Sequence, residues 1–387
     1  MKRFSSLLAL FLAPLSALSA TPQKSFEQIA KQADAARTAD RMSEAIGLYT
    51  QGVHLHPAWS DGWWWLGSLL YDEDRFAEAA PAFQKFVALT PKSGPGYAFL
   101  ALCEYETQDF GSSVKHFGEW ARRGSPGNDA LLDVAGFRWA SLLTREGRFS
   151  EALYLLAAKA AKVGRSPALV EAMGLASLRM NNLPEDYPPE RRELVWLTGE
   201  AAYYSATGAT LRASQYADRL LVHYSHEPGV HFFRGTLFEF QKDFGAAEQE
   251  YEEELRASPD NGPAMTELAV TLVDDVQPDK AVPIAERAVS LEPQNPRSYY
   301  ALGSALLETG KPDQGARALE KAKQFAPNSS FIRFTLAKAY RALGREEEAK
   351  RESAAFLALK DKQDVLAWPE NRRATPEQVD PRGTKKP

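Results

Sequence analysis

The sequence predicts an all-α protein built from tandem helix pairs, because three sets of residues recur every 34 positions. The chain has 387 residues, too many for one small compact domain. Two in-phase sets are small residues, and the third is the prolines that follow a helix. These sets are Ala213, Ala247, Ala281, Gly315, Ala349; Ala201, Gly235, Ala269, Gly303, Ala337; and Pro259, Pro293, Pro327. An ordinary helical bundle has no reason to keep a fixed period over five units, so an array is favoured.

Residues 60–91 show how one unit is built. Its first helix carries an apolar stripe beside a glycine, and its second helix carries a small residue followed by aromatic residues at helical spacing. The first stripe is Trp63, Leu66 and Leu70 with Gly67, and the second is Ala79, Phe83 and Phe86. Small residues let the two helix axes approach to about 8–10 Å. A proline, Pro91, ends the unit.

This pattern is similar to the signature of a known repeat family. Its residues are Trp63, Leu66, Gly67, Ala79, Phe83 and Pro91, and together they resemble the tetratricopeptide repeat, a 34-residue helix-turn-helix unit. The resemblance extends from about residue 26 to residue 362. It implies a right-handed superhelical solenoid of about nine to ten repeats, one of them degenerate, whose first helices line a continuous inner groove.

The repeat register slips twice, and the slips predict the domain organisation. The first slip is an insertion of five residues around positions 124–128. The second follows a predicted helix at 168–182, where the proline-rich segment 183–190 replaces the expected second helix of the repeat. We therefore expect an N-terminal repeat sub-array at 26–182, a connecting loop at 183–190 and a C-terminal sub-array at 191–363. A binding loop is the alternative for 183–190. The segment 364–387 has lost the apolar pattern and predicts a disordered tail.

The first twenty residues predict a signal peptide at 1–20. Lys2 and Arg3 precede an apolar run over residues 7–18, and small residues follow it. The run is too short to cross a bilayer as a helix, so we expect no integral membrane span in the mature chain. The expected mature protein is soluble and extracytoplasmic, in the periplasm or secreted. Its single cysteine, Cys103, excludes an internal disulfide and is expected to act as a small buried hydrophobe.

The sequence contains no constellation of catalytic residues, so we expect a non-enzyme without cofactor or metal. Ser112 and Lys115 have the spacing of a Ser-x-x-Lys motif but lack its companions. His226 and His231 are five apart with a proline between them, where a zinc-protease helix must be continuous. A metal held by these histidines and His223 is the alternative. A formal charge of −5 gives no electrostatic footprint for nucleic acid.

The family resemblance implies a non-catalytic scaffold that binds peptide or protein partners in the periplasm or cell envelope. Projected onto this sequence, the family arrangement places Trp63 and Phe83 in the packing and six other aromatic residues on a concave, aromatic-lined groove. Those six partner-binding candidates are Trp64, Tyr71, Tyr105, Phe137, Phe232 and Tyr300. The alternative is a ligand-binding protein that holds a carbohydrate or an apolar small molecule. A long open channel would fit a peptide, whereas a closed pocket of several hundred cubic ångströms would fit a small ligand.

Overall fold

A computed structural model of the chain describes residues 25–124 and 129–360. Within these ranges the chain forms α-helices and one short 3-10 helix, Pro189–Arg191, and no strand. The α-helices are α1 (Phe26–Thr38), α2 (Met42–Leu55), α3 (Ser60–Asp72), α4 (Phe76–Leu89), α5 (Gly94–Glu106), α6 (Phe110–Arg123), α7 (Asp129–Arg145), α8 (Phe149–Val163), α9 (Pro167–Ser177), α10 (Arg192–Ala206), α11 (Thr210–Tyr224), α12 (Val230–Gln241), α13 (Phe244–Ala257), α14 (Gly262–Asp274), α15 (Pro278–Leu291), α16 (Pro296–Glu308), α17 (Pro312–Phe325), α18 (Ser330–Ala342) and α19 (Glu346–Lys360).

The helices confirm the predicted class, an all-α array of helix pairs. Over the described ranges they form ten repeats, from α1 with α2 to α18 with α19, and the fifth repeat has only its first helix, α9. The chain divides into two compact units between Lys92 and Ser93. The division into sub-arrays at 183–190 stays a prediction. The predicted signal peptide, most of the insertion at 124–128 and the tail at 364–387 lie outside the described residues.

Side chains cap the starts of eight helices in the described part of the chain. At α1 the Ser25 hydroxyl accepts a hydrogen bond from the Gln28 backbone N–H, and the Gln28 side chain accepts one from the Ser25 N–H. Such a capping box satisfies two backbone donors that have no partner inside the helix. The other seven capping residues are Ser93, Asp109, Ser166, Asp243, Asn261, Asn295 and Ser329.

The small residues of the repeat lie where the two helices of a pair touch. A Cβ atom added to Gly67 would lie 3.0 Å from the Phe83 ring, and one added to Gly235 would lie 2.6 Å from the Tyr251 ring. Phe83 and Tyr251 are both fully buried. The glycine in the first helix therefore makes room for the aromatic ring of the second helix, as the spacing of the two residues predicts.

Every repeat turns after its first helix at one residue in the left-handed backbone region. These ten residues are Asp40, Asp74, Gln108, Gly147, Arg179, Gly208, Lys242, Val276, Gly310 and Gly344. The N–H of the next residue returns to a carbonyl five positions earlier, as from Arg75 to Leu70 at 2.9 Å. This hydrogen bond is the one that closes a Schellman motif at a helix end. Main-chain hydrogen bonds thus repeat at every turn, although the residue types do not.

Val276 is the costliest of these turn residues, because a β-branched side chain strains the left-handed conformation. Its φ is 60° and its side chain is 85% exposed, so it makes few contacts in return. We expect Val276→Gly to raise the free energy of unfolding by about 1 kcal/mol, measured by urea denaturation. The reverse change, Gly310→Val, is the matched control, since φ is 75° and no atom lies within 4 Å of an added Cβ. It should lower stability by a similar amount; equal stability of both variants and the parent would contradict the prediction.

The fifth repeat departs from the others because only a loop and the short 3-10 helix Pro189–Arg191 stand between α9 and α10, in place of a second α-helix. The helix predicted over 168–182 ends at Ser177, since Arg179 takes a φ of 56° and closes the turn. Two glycines then let the backbones of α9 and α10 meet. A Cβ on Gly174 would lie 2.0 Å from the Val195 carbonyl oxygen, and one on Gly199 would lie 1.9 Å from the Val170 carbonyl oxygen.

The loop at 183–190 is tied to the helices around it. Leu183 is buried, and the Asn182 side-chain amide donates to the Asp186 carbonyl oxygen at 2.7 Å. The Tyr105 hydroxyl donates to the Glu185 carboxylate at 2.9 Å. The Tyr187 hydroxyl donates to Glu171 of α9. These contacts hold the segment in one position in place of the missing second helix.

Candidate binding sites

Trp64 and Tyr71, the two predicted groove residues of the first compact unit, are half-buried on α3. The Trp64 ring centroid lies 5.0 Å from that of Phe86 and 5.7 Å from that of Phe83, both on α4. The Tyr71 ring lies 5.3 Å from Phe76. Trp64 therefore contacts the same Phe83 ring that the sequence assigns to packing. Its binding role stays a prediction.

Trp63, assigned to packing by its position in the repeat, is also only half-buried. Its indole N–H donates to the Pro57 carbonyl oxygen at 2.9 Å, in the turn before α3. The neighbouring Trp65 lies beneath the Arg37 guanidinium, whose Cζ is 3.8 Å from the ring centroid. All three tryptophans thus have partners within the first compact unit.

Tyr105 and Phe137 are the predicted groove residues on α5 and α7. Tyr105 is 4% exposed, and the Arg138 guanidinium covers its ring at 4.5 Å and donates to its hydroxyl at 3.3 Å. Burial raises the pKa of the Tyr105 phenol, and the Arg138 charge opposes that rise. Phe137, next to Arg138, is half-buried. Tyr105 therefore offers little surface to a partner in this arrangement.

Phe232 and Tyr300 pack against one hydrophobic cluster, which α12 to α16 share. Tyr300 is half-buried and also contacts a second cluster around Leu319 and Leu336. Phe232 is 7% exposed, and its ring centroid is 5.8 Å from that of Tyr251. One side of Phe232 borders a cavity. Of the six predicted groove residues, Phe232 is the one that lines this cavity.

The cavity has a volume of about 380 Å³ and lies in the second compact unit. Its walls come from α8, α9, α10 and α12, with Glu267 of α14 and Arg297 of α16. The aromatic wall residues are Phe149, Tyr154, Phe232, Phe233 and Phe240. Arg179, at the turn where the second helix of the fifth repeat would begin, also lines the cavity. A cavity of this size and lining is typical of a small-molecule site.

The two carboxylates of the cavity already have donors from the protein. The Glu267 carboxylate accepts two hydrogen bonds from the Arg297 guanidinium, one of them from Nε to Oε1 at 2.6 Å. Glu239 is 4% exposed and accepts a hydrogen bond from the Thr271 hydroxyl at 2.6 Å. Hydrogen bonds of this kind offset the cost of removing a carboxylate from water.

Sequence reasoning missed every cavity residue except Phe232. The one signal in the sequence was the register slip between Ala152 and Ala213, which marks the fifth repeat as degenerate. That slip locates an irregularity but gives no distance between α8, α9 and α12. Only the tertiary structure shows which side chains of these helices face one another.

Cys103 is fully buried within α5, and burial raises the pKa of its thiol to about 12. A thiol with this pKa stays protonated and unreactive, which agrees with its role as a small buried hydrophobe. Within residues 25–124 and 129–360, no three His, Cys, Asp or Glu side chains are grouped to hold a metal ion. The helices of these ranges are each too short or too polar to span a lipid bilayer.

Two segments of the chain match models of known families. Residues 30–94 match the tetratricopeptide repeat, and residues 275–351 match a family described as anaphase-promoting complex, cyclosome, subunit 3. The first match covers the turn and both stripes of the unit at 60–91. The first match and the helix-turn-helix pattern that recurs along the described helices support a protein of the tetratricopeptide-repeat type.

Similar solved structures include several MamA proteins. MamA 41-end from Desulfovibrio magneticus RS-1 is 20% identical, with a TM-score of 0.40, and the match covers 45% of this chain and 98% of that one. MamA of AMB-1 is 22% identical, with a TM-score of 0.37, and covers 43% of this chain and 99% of that one. No curated protein matches the chain.

Proposed function

We propose that this chain is a non-catalytic scaffold that binds a peptide or protein partner in the periplasm or cell envelope. The observation that carries the proposal is the array of tetratricopeptide repeats, a family whose members act as protein-interaction scaffolds. The leader-like first twenty residues support the extracytoplasmic location. The repeat family supports a binding function in general, whereas the surface that binds the partner depends on particular side chains.

The partner surface we favour is the face of α3 that carries Trp64 and Tyr71. Both side chains are half-buried, so each keeps part of its ring on the surface. Large aromatic residues are enriched among those that dominate binding energy. Trp64 also rests on the rings of Phe83 and Phe86, which hold its orientation before a partner arrives. A preorganised aromatic anchor on the first helix of a repeat fits a peptide partner.

The test compares Trp64→Ala with Phe83→Leu, a control that changes the packing beneath Trp64 but lies fully buried. Both variants should unfold at lower temperature than the parent, because each removes ring contacts within the second repeat. Only Trp64→Ala should also weaken capture of the partner, by about 2 kcal/mol or more. Photo-crosslinking from position 71 in envelope extracts identifies the partner, and titration of the purified partner at a temperature where both variants are folded measures affinity. Unchanged affinity of Trp64→Ala would make Trp64 a packing residue and remove the anchor of this surface.

The alternative of a small ligand held among aromatic side chains concerns a different part of the chain. The cavity of about 380 Å³ next to Phe232 supports it. A carbohydrate needs many hydrogen-bonding groups, whereas the walls here are mostly aromatic and aliphatic and their carboxylates are already occupied. The cavity therefore favours an apolar ligand body over a sugar.

A further inference from the structure

Two cations of the cavity have no acidic partner. In the described part of the chain, neither the Arg179 guanidinium nor the Lys242 ammonium forms an ion pair or a side-chain hydrogen bond. Glu239 and Glu267, the carboxylates of the cavity wall, are engaged with Thr271 and Arg297. Neither cation is thus held in a direct ion pair, although the Glu267 and Glu292 carboxylates act on Arg179 from a greater distance.

Arg179 is held in place by aromatic rings. Its Cζ atom lies 4.7 Å from the Phe149 ring centroid and 5.2 Å from that of Phe232. Burial lowers the pKa of the guanidinium, and the more distant Glu267 and Glu292 carboxylates raise it. Rings above a guanidinium cover its faces and leave its N–H edges for an acceptor. A guanidinium edge matches the two oxygens of a carboxylate.

The position of Lys242 places a second charge at the rim. Lys242 is exposed and occupies the left-handed turn after α12, with a φ of 62°. Arg179 occupies the corresponding turn after α9. The remainder of the lining is largely apolar and includes Leu153, Met173 and Leu237. An apolar chamber with cations at two of its turns is complementary to an amphipathic anion.

We propose that this cavity binds a small molecule with an apolar body and one anionic headgroup, which Arg179 holds by charge-assisted hydrogen bonds and which the exposed Lys242 attracts by its charge. The apolar body occupies the space between Phe149, Phe232 and the aliphatic wall. Burial of that body supplies most of the affinity, and the anion supplies the selectivity over neutral ligands of equal size. This activity is additional to partner binding, and its residues are separate from Trp64 and Tyr71.

The probe is radiolabelled decanoate in equilibrium dialysis with the full chain, compared with decan-1-ol, which has the same chain length and no charge. We expect decanoate to bind one-to-one and at least about tenfold more tightly than decan-1-ol, because only the anion completes the hydrogen bonds of Arg179. Arg179→Met keeps the length of the side chain and should weaken decanoate binding about tenfold while leaving decan-1-ol binding unchanged. Lys242→Met should weaken it about threefold, since its charge is exposed.

Arg212→Met is the matched control. Arg212 lies over the Tyr204 ring at 5.3 Å on α11, outside the cavity wall, so its loss should leave decanoate affinity unchanged. The proposal is overturned if the parent chain does not bind decanoate, if decan-1-ol binds as tightly, or if Arg179→Met keeps full affinity. The comparison of the two ligands needs no variant, and Lys242 is exposed, so the test stands even if Arg179→Met does not fold.

Discussion

Gly174→Ala and Gly199→Ala should each lower the free energy of unfolding by about 3 kcal/mol, the largest single-residue effect that we expect in this chain. The added Cβ atoms would lie 2.0 Å and 1.9 Å from the carbonyl oxygens of Val195 and Val170. These oxygens belong to helix backbones and cannot rotate away as a side chain could. Helices α9 and α10 must therefore separate, which also moves two walls of the cavity.

Urea denaturation of the two single variants and of the double variant measures this effect. The control is Gly118→Ala in α6, where an added Cβ meets no atom within 4 Å. Alanine at that helix position should stabilise the chain by about 0.5–1 kcal/mol. Because Gly174 and Gly199 serve the same crossing, the double variant should cost less than the sum of the two single changes. Stability of Gly174→Ala equal to that of the parent would show that the crossing can widen freely.

Glu254→Ala should lower stability by nearly as much, about 3 kcal/mol. Glu254 is 2% exposed, and its carboxylate accepts hydrogen bonds from the backbone N–H groups of Gly229 and Phe232, each at 3.2 Å. The Asn261 side-chain amide donates to it at 3.1 Å. Glu254 therefore serves the amino end of α12 and the cap of α14 together. Its removal leaves buried donors without an acceptor, a larger loss than the deletion of an exposed contact.

Glu253→Ala is the control for this change, since Glu253 is the preceding residue on α13 and its side chain is 46% exposed. We expect its effect to stay within about 0.5 kcal/mol. Hydrogen exchange gives a second measurement, because the Gly229 and Phe232 amides should exchange faster in Glu254→Ala than in Glu253→Ala. Equal stability and equal exchange in the two variants would refute the role assigned to Glu254.

The candidate sites were only partly accessible to sequence reasoning. Projection of the repeat pattern marks Trp64 and Trp63 as neighbours on different faces, yet both are half-buried in the packed repeat. Tyr105 has the spacing of a surface aromatic, but Arg138, which lies 33 residues later, covers it. A helix period predicts the direction of a side chain from its own axis. It carries no information about the long side chains that other helices bring over it.

The repeat register and the helix pairs were determined by the sequence alone. Gly67 and Gly235 must be small because a ring fills the space beside each of them, so the requirement is visible in the sequence as a residue type. The turn conformation is not visible in the sequence as a residue type, since Asp74, Lys242 and Val276 all adopt it. Main-chain hydrogen bonds define the turn, and any residue can supply them at some cost in strain. The tertiary structure alone decided the α9–α10 crossing and the unpaired charge of Arg179. Both depend on which groups lie within a few ångströms across helices distant in sequence, and hydrogen bonds, ion pairs and steric contacts are set by those short distances.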